Sequence, residues 1–330
     1  MRRQWLKTLL LSSLFVTSSV AQALELSPEQ VEEWLVDTRL QDRSQELLSQ
    51  LTDNQVDSVR FALERFAMPQ QEVVRYMLMT EIEQSEVVLS EQQALFVDLH
   101  REMQPTYHVL EVGDGYEFIA PAFNYPATAS RIIKRWESER DTLNLAEQAE
   151  QENLVLRDYL SGDDLQVGQR EELLIKELPN LSVHALSSLT DQLLGQRLTT
   201  WLPSSKVMVS LAQVSQEQGI YDLLWKMRAD SNTKQELLRL ADMDSEFAYQ
   251  QTMIAASNPA LTEQALRQLA RSKPMPEEVR SFLIARMSIE EEAPIVAGEL
   301  VAQGYRQWLT ELVLENRDIR VKEINSILAK

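Results

Sequence analysis

The feature that most restricts this 330-residue chain is a spacing in its C-terminal part. Lys234–Ala241 and Glu263–Ala270 align at a step of 29 residues, which also reaches back to Ser205–Ala212 and forward to Glu292–Glu299 and Val321–Leu328. One column of that frame reads Met208, Leu237, Leu266, Ile295, Ile324. A second reads Leu211, Leu240, Leu269, Gly298, Ile327, and the next Ala212, Ala241, Ala270, Glu299, Leu328. Between them stand Tyr221, Gln250, Val279, Trp308 and, four positions on, Trp225, Ile254, Leu283, Leu312. Leu224, Met253 and Phe282 form a further column that ends at Glu311. Each unit therefore predicts two short amphipathic helices. Such a pair cannot bury its apolar stripe alone, so neighbouring units must stack.

The rest of the chain also reads as helix. Only 8 of 330 residues are glycine, against a usual share of about 7%. Leu, Gln, Glu and Ala, which lose little entropy in helices, are abundant. Ser27-Pro28, Asp53, Pro69 and Ser90 predict helix starts across 24–104. A different pattern follows Pro105. Tyr107–Val112 and Tyr116–Ala120 flank Gly113-Asp114-Gly115, which predicts a β-hairpin, the one convincing β element. Thr128 or Ser130 is expected to cap a long helix through Trp136 and Leu143. The expected division is 24–104 helical, 105–165 hairpin and long helix, and 166–330 repeat array, with the turn Ser161–Asp164 near the last boundary. Seven glycines fall at predicted helix ends or turns, whereas Gly298 sits inside a repeat column, so 292–304 is expected to hold a local break.

Ser257-Asn258-Pro259-Ala260-Leu261, followed by Leu266, Leu269 and Ala270, resembles the short HEAT-like and leucine-rich-variant α-helical repeats. The resemblance covers roughly 200–330. It implies an α-solenoid that binds a protein or peptide on its concave face, and no catalytic residue carries over. The fold class expected is all-α, with one hairpin insertion and a C-terminal solenoid.

Residues 1–23 read as a secretory signal. Arg2, Arg3 and Lys7 precede a short apolar run through Val20, and Ala21-Gln22-Ala23 offers cleavage after Ala23. The run is too short to span a bilayer as a helix. A chain with no cysteine needs no oxidative stapling, which fits a bacterial periplasmic protein. Removal of three bases and no acid would take the formal charge from −19 to −22. That charge disfavours nucleic acid, whose phosphates need Lys and Arg, and anionic lipid.

The chemistry-bearing motifs are few. Missing cysteine excludes thiolate metal sites and cysteine nucleophiles. Phosphate-cradling loops need clustered glycines, and only Gly113 and Gly115 lie close together. His100, His108 and His184 form no HExxH or other ligand spacing, and neither an EF-hand loop nor a G-x-S-x-G elbow occurs. No cofactor and no metal is expected. The most distinctive segment outside the repeats is 107–136. Tyr107, Tyr116, Phe123 and Tyr125 stand there with Arg131, Lys134 and Arg135, a basic cluster in an acidic chain. Aromatics with arginine make interface anchors; the same aromatics equally pack a hairpin onto helices. The expected function is a non-catalytic binding or scaffold protein for a protein or peptide partner. Two alternatives stand beside it. One is a helical hydrolase of peptidoglycan using two carboxylates, although no catalytic Glu-Ser with a Gly-rich stretch is present. The other is a holdase suggested by 11 methionines, most of which fall on core columns instead.

Overall fold

The computed structural model describes residues 24–85, 87–113, 116–195 and 201–329. They are mostly helical, with one small sheet. Residues 1–23, expected to form the signal, Gly115 of the expected hairpin turn and the side chain of Tyr116 lie outside the described part. Contacts divide the chain into two compact units, Met1–Arg140 and Asp141–Lys330.

The first unit contains β1 (Leu24–Leu26), α1 (Pro28–Leu35), α2 (Thr38–Thr52), α3 (Val56–Glu64), α4 (Gln70–Gln84) and α5 (Glu91–Arg101). There follow β2 (Tyr107–Gly113), β3 (Tyr116–Pro121) and α6 (Tyr125–Glu150), which runs across the unit boundary. Ser27 and Ser90 each close a capping box, with Gln30 and Gln93 reaching back. The expected start at Asp53 is corrected. Asp53 ends α2, and α3 opens after Gln55 without a side-chain cap. α6 begins at Tyr125, before Thr128 and Ser130. Asn124 Oδ1 accepts from the Ala127 amide, and both hydroxyls donate back to carbonyls one turn earlier. Val73, Val74, Leu78, Met79 and Ile82 of α4 are fully buried. α4 is thus the central helix of this core, packed with Leu47 and Leu51, Val59 and Leu63, Phe96 and Val97, and Ile132.

The sheet has three strands in the order β1-β2-β3. β2 and β3 form the expected antiparallel hairpin, with Val109 opposite Ala120 and Glu111 opposite Phe118. β1 adds a parallel strand, Leu24 opposite Tyr107, so the hairpin is not the one β element. Three residues are too few to carry a period-2 signal.

The second unit continues with α7 (Leu156–Tyr159), α8 (Asp164–Glu177), α9 (Val183–Leu194), α10 (Ser205–Ser215) and α11 (Gln218–Lys226). Then come α12 (Ser231–Ala241), α13 (Glu246–Ala255), α14 (Thr262–Ala270), α15 (Glu277–Arg286), α16 (Ala293–Ala302), α17 (Arg306–Glu315) and α18 (Val321–Leu328). The Ser161–Asp164 turn lies inside this unit, where Gly162 takes φ +131°, a conformation that disfavours any side chain. α10, α12, α14, α16 and α18 pack in succession, each against the next, and each of the first four also packs on the helix that follows it in sequence.

The buried residues follow the 29-residue frame through three of these helices. Met208, Leu237 and Leu266 are fully buried, as are Leu211, Leu240 and Leu269. The frame then slips. In α16 the buried residues are Val296, Ala297 and Leu300, whereas Ile295 is half-buried. Leu266 to Ala297 is a step of 31, and Leu269 to Leu300 repeats it. The connection Arg271–Pro276 is two residues longer than Asp242–Ser245, which accounts for the difference. α16 runs unbroken across Gly298, so the expected break at 292–304 is a shift of register instead. Gln250 is also off the core, and its neighbour Gln251 is buried.

Polar side chains join successive helix pairs at their connections. Asn258 Nδ2 donates to the carbonyls of Trp225 (2.8 Å) and Met227 (3.0 Å). Arg286 donates to Ala256 O at 3.0 Å, and Arg320 to Ser288 O at 2.9 Å. Each donates to chain-end carbonyls roughly one pair earlier, and the Ala256 carbonyl also accepts from the Thr262 hydroxyl.

Candidate functional site

The outward side of α12 and α14 carries two hollows, of about 360 and 340 Å³, that share Leu238, Gln268 and Arg271. Together they form one groove. Helical spacing places its residues. In α14 the stripe Ala265, Leu266, Leu269 faces the core, which turns Gln264, Arg267, Gln268 and Arg271 outward. In α12 the stripe Glu236, Leu237, Leu240 does the same and leaves Lys234 and Leu238 outside. Leu238 is 54% exposed.

Electrostatics divide the groove. One end holds Lys234, Arg267 and Arg271 against Glu263. The other holds Asp242 and Asp244 with Arg271 and Lys273. Glu299 of α16, almost fully buried, anchors both arginines, with Arg271 Nε at 2.8 Å and Arg267 Nη1 at 3.5 Å. The Arg271 guanidinium holds the Glu299 carboxyl below the usual carboxylate range. The cations are thereby fixed in place, which reduces the side-chain entropy a ligand must overcome.

Gln268 stands between the two ends. Its amide nitrogen and oxygen are both buried, and neither has a hydrogen-bond partner among the described residues. Native proteins rarely leave such groups unpaired, because each costs about 1–3 kcal/mol. One donor and one acceptor on one side chain match the C=O and N–H of an extended peptide.

Beneath the groove, a buried network holds α11 to α12. Glu236 Oε1 accepts from the Tyr221 hydroxyl at 2.7 Å, and Arg239 Nε donates to Oε2 at 2.8 Å. Burial, reinforced by Glu236, pushes the Tyr221 phenol well above its ordinary range, so it remains a donor.

The residues singled out in 107–136 are placed differently from one another. Phe123 and Tyr125 are fully buried in the first unit's core, and Tyr107 is half-buried. Glu72, also buried, accepts from the amides of Thr106 (2.6 Å) and Tyr107 (3.3 Å) and so fixes the start of β2. Arg131 forms a two-pronged pair with Glu83, at 2.6 and 3.0 Å, and holds its carboxyl below the usual range. Arg135 donates to the carbonyls of Glu83 and Ile82 at the C-terminus of α4. Lys134 is exposed. Tyr116 opens β3 opposite Gly113. The hairpin leaves Phe118 and Ile119 exposed at 52% and 64%.

Sequence reasoning missed the groove. Its available signal was a concentration of bases, Lys234, Arg239, Arg267, Arg271 and Lys273, in and just after α12 and α14. Among the described residues no three His, Asp or Glu side chains converge in a way that could hold a metal ion, and no helix is long and apolar enough to cross a membrane. No family model, no curated protein and no solved structure matches the chain.

Proposed function

We propose that this chain is a non-catalytic binding protein of the periplasm that holds an extended peptide segment of a partner along the α12–α14 groove. The observation that carries the reading is Gln268, an amide with donor and acceptor unpaired in the middle of a groove flanked by fixed cations. The same reading takes the second unit as an α-solenoid. The succession α10, α12, α14, α16, α18 supports it, as do the Asn258, Arg286 and Arg320 links between pairs. The periplasmic address rests on the signal pattern of residues 1–23.

Site-specific photocrosslinking in living cells tests this. A crosslinking residue at Leu238 captures a discrete partner, whereas the same residue at Val183, a still more open position of α9, does not. Gln268→Leu removes two hydrogen bonds to the peptide and lowers capture by about tenfold or more at limiting partner. Equal capture at both positions, or capture indifferent to Gln268→Leu, overturns the reading.

A further inference from the structure

The first unit carries a second hollow, unrelated to the groove. It lies between α2 and α3, encloses about 390 Å³ and is lined by Arg43, Gln50, Ser58, Phe61, Ala62, Arg65 and Phe66. No acid lines it, in a chain with 51 acids and 32 bases. Phe61 is 63% exposed and presents its ring at the mouth of the hollow.

Arg65 is the informative residue. Several arginines elsewhere in the chain, Arg60, Arg131, Arg267, Arg271 and Arg280 among them, meet a carboxylate, and others such as Arg170 and Arg320 meet carbonyls. Arg65 meets none among the described residues. It stands at the C-cap of α3, where a cation usually serves the last carbonyls. Its guanidinium goes elsewhere, one turn back over the Phe61 ring at 5.8 Å from the centroid. It therefore offers its donors to the hollow and not to the helix end. Arg43, on the facing helix, is paired with Glu46, and Gln50 also donates to Glu46. Glu46 itself does not line the hollow, but it takes up donors of both, so Arg65 is the cation of this lining without a carboxylate.

We infer that this hollow binds a carboxylate joined to an apolar body, the carboxylate on Arg65 with Arg43 near, the apolar part against Phe61, Ala62 and Phe66. Guanidinium is the side chain best suited to a carboxylate, since its parallel N–H groups match the two oxygens. The ring under it adds an apolar surface and orients the cation. A phosphorylated ligand would need more donors than Arg65 and half of Arg43 supply. An aryl-alkyl acid and the C-terminal residue of a peptide share the required chemistry.

Fluorine NMR on the full chain tests it, with 4-fluorophenylacetate as the probe and 4-fluorobenzylamine and 4-fluorobenzyl alcohol as its cationic and neutral counterparts. The expected result is binding of the acid at a Kd on the order of 1 mM or tighter, at least about tenfold stronger than either counterpart. Arg65→Gln weakens the acid about tenfold or more and leaves the alcohol unchanged, as expected for a charge-assisted bond; Arg65→Lys restores part of the loss. Phe61→Ala weakens acid and alcohol alike. Both positions are exposed or at a helix end, and an unchanged Tm confirms that the variants fold. A tripeptide ending in phenylalanine, as free acid and as amide, separates the sources. Free acid far tighter than the probe assigns the site to peptide C-termini, and equal affinity assigns it to small acids. Equal binding of acid and amine, or an acid affinity untouched by Arg65→Gln, overturns the inference.

Discussion

His100 makes the first unit dependent on pH in a direction and amount that can be worked out. Its ring is 3% exposed and lies edge-on to Phe96 at 4.6 Å and to Tyr125 at 6.3 Å. Nδ1 lies 2.8 Å from the Phe96 carbonyl, so it carries the hydrogen and donates. Burial, with the positive charge of Arg75 nearby, lowers its pKa from the ordinary 6.5 to about 4. In the unfolded chain the ring titrates near 6.5, so between the two values the unfolded state binds the extra proton. The stabilisation is therefore complete above pH 6.5 and falls as pH drops toward 4. A shift of this size corresponds to about 3 kcal/mol, at about 1.4 kcal/mol per unit. Glu81, raised by burial, contributes with the opposite sign. The decisive quantity is thus a difference between two proteins. Urea titrations of the native sequence and of His100→Leu are run at pH 7.5 and pH 4.5, with hydrogen exchange of α4 and α5 peptides as the readout for this unit. The native sequence loses about 2–3 kcal/mol more than the variant between the two conditions. Parallel losses in both would refute the argument, because they would place the titration elsewhere.

Two further outcomes follow from the packing. Asn258→Ala removes the donor shared by the Trp225 and Met227 carbonyls and costs the second unit about 2–3 kcal/mol, or roughly 5–10 °C in Tm by calorimetry; an unchanged Tm would show that Asn258 joins nothing. Phe123→Ala leaves a cavity in the first unit's core and costs about 3–5 kcal/mol by denaturant titration, whereas truncation of a solvent-facing anchor would change stability by less than about 0.5 kcal/mol.

The helical character was legible because it depends on composition and on period, both of which are local. Scarce glycine, Ser27 and Ser90 before Gln30 and Gln93, and leucines at 237, 240, 266 and 269 all follow from how a helix satisfies its ends and buries one stripe. The hairpin was legible for a similar reason, as alternating Tyr107–Val112 and Tyr116–Ala120 flank a glycine pair. What was not legible depends on distance. β1 is three residues long and exists because Thr106 and Tyr107 come beside it, 80 residues away in sequence. The α16 register could not be read from a column, since a loop two residues longer moves the buried positions of that helix while leaving the pattern helical, and Ile324 of α18 stands on the original column again.

The arginines show the same limit from the functional side. Arg131, Arg135, Arg65 and Arg271 look alike in sequence, each a base among acids near an aromatic or a leucine. In the fold, Arg131 is matched to Glu83, Arg135 caps α4, and Arg271 is fixed by Glu299 at the rim of a groove. Arg65 alone of these four has neither carboxylate nor carbonyl and rests on a ring. A clustered charge is therefore weak evidence of a binding surface, because folding spends most cations on its own carboxylates and helix ends. The informative residues are found among those whose donors remain unused after that accounting, as Gln268 is in the second unit and Arg65 in the first. Neither stood out in the sequence, since both are ordinary polar residues on the outer face of an amphipathic helix, and only the positions of their neighbours distinguish them.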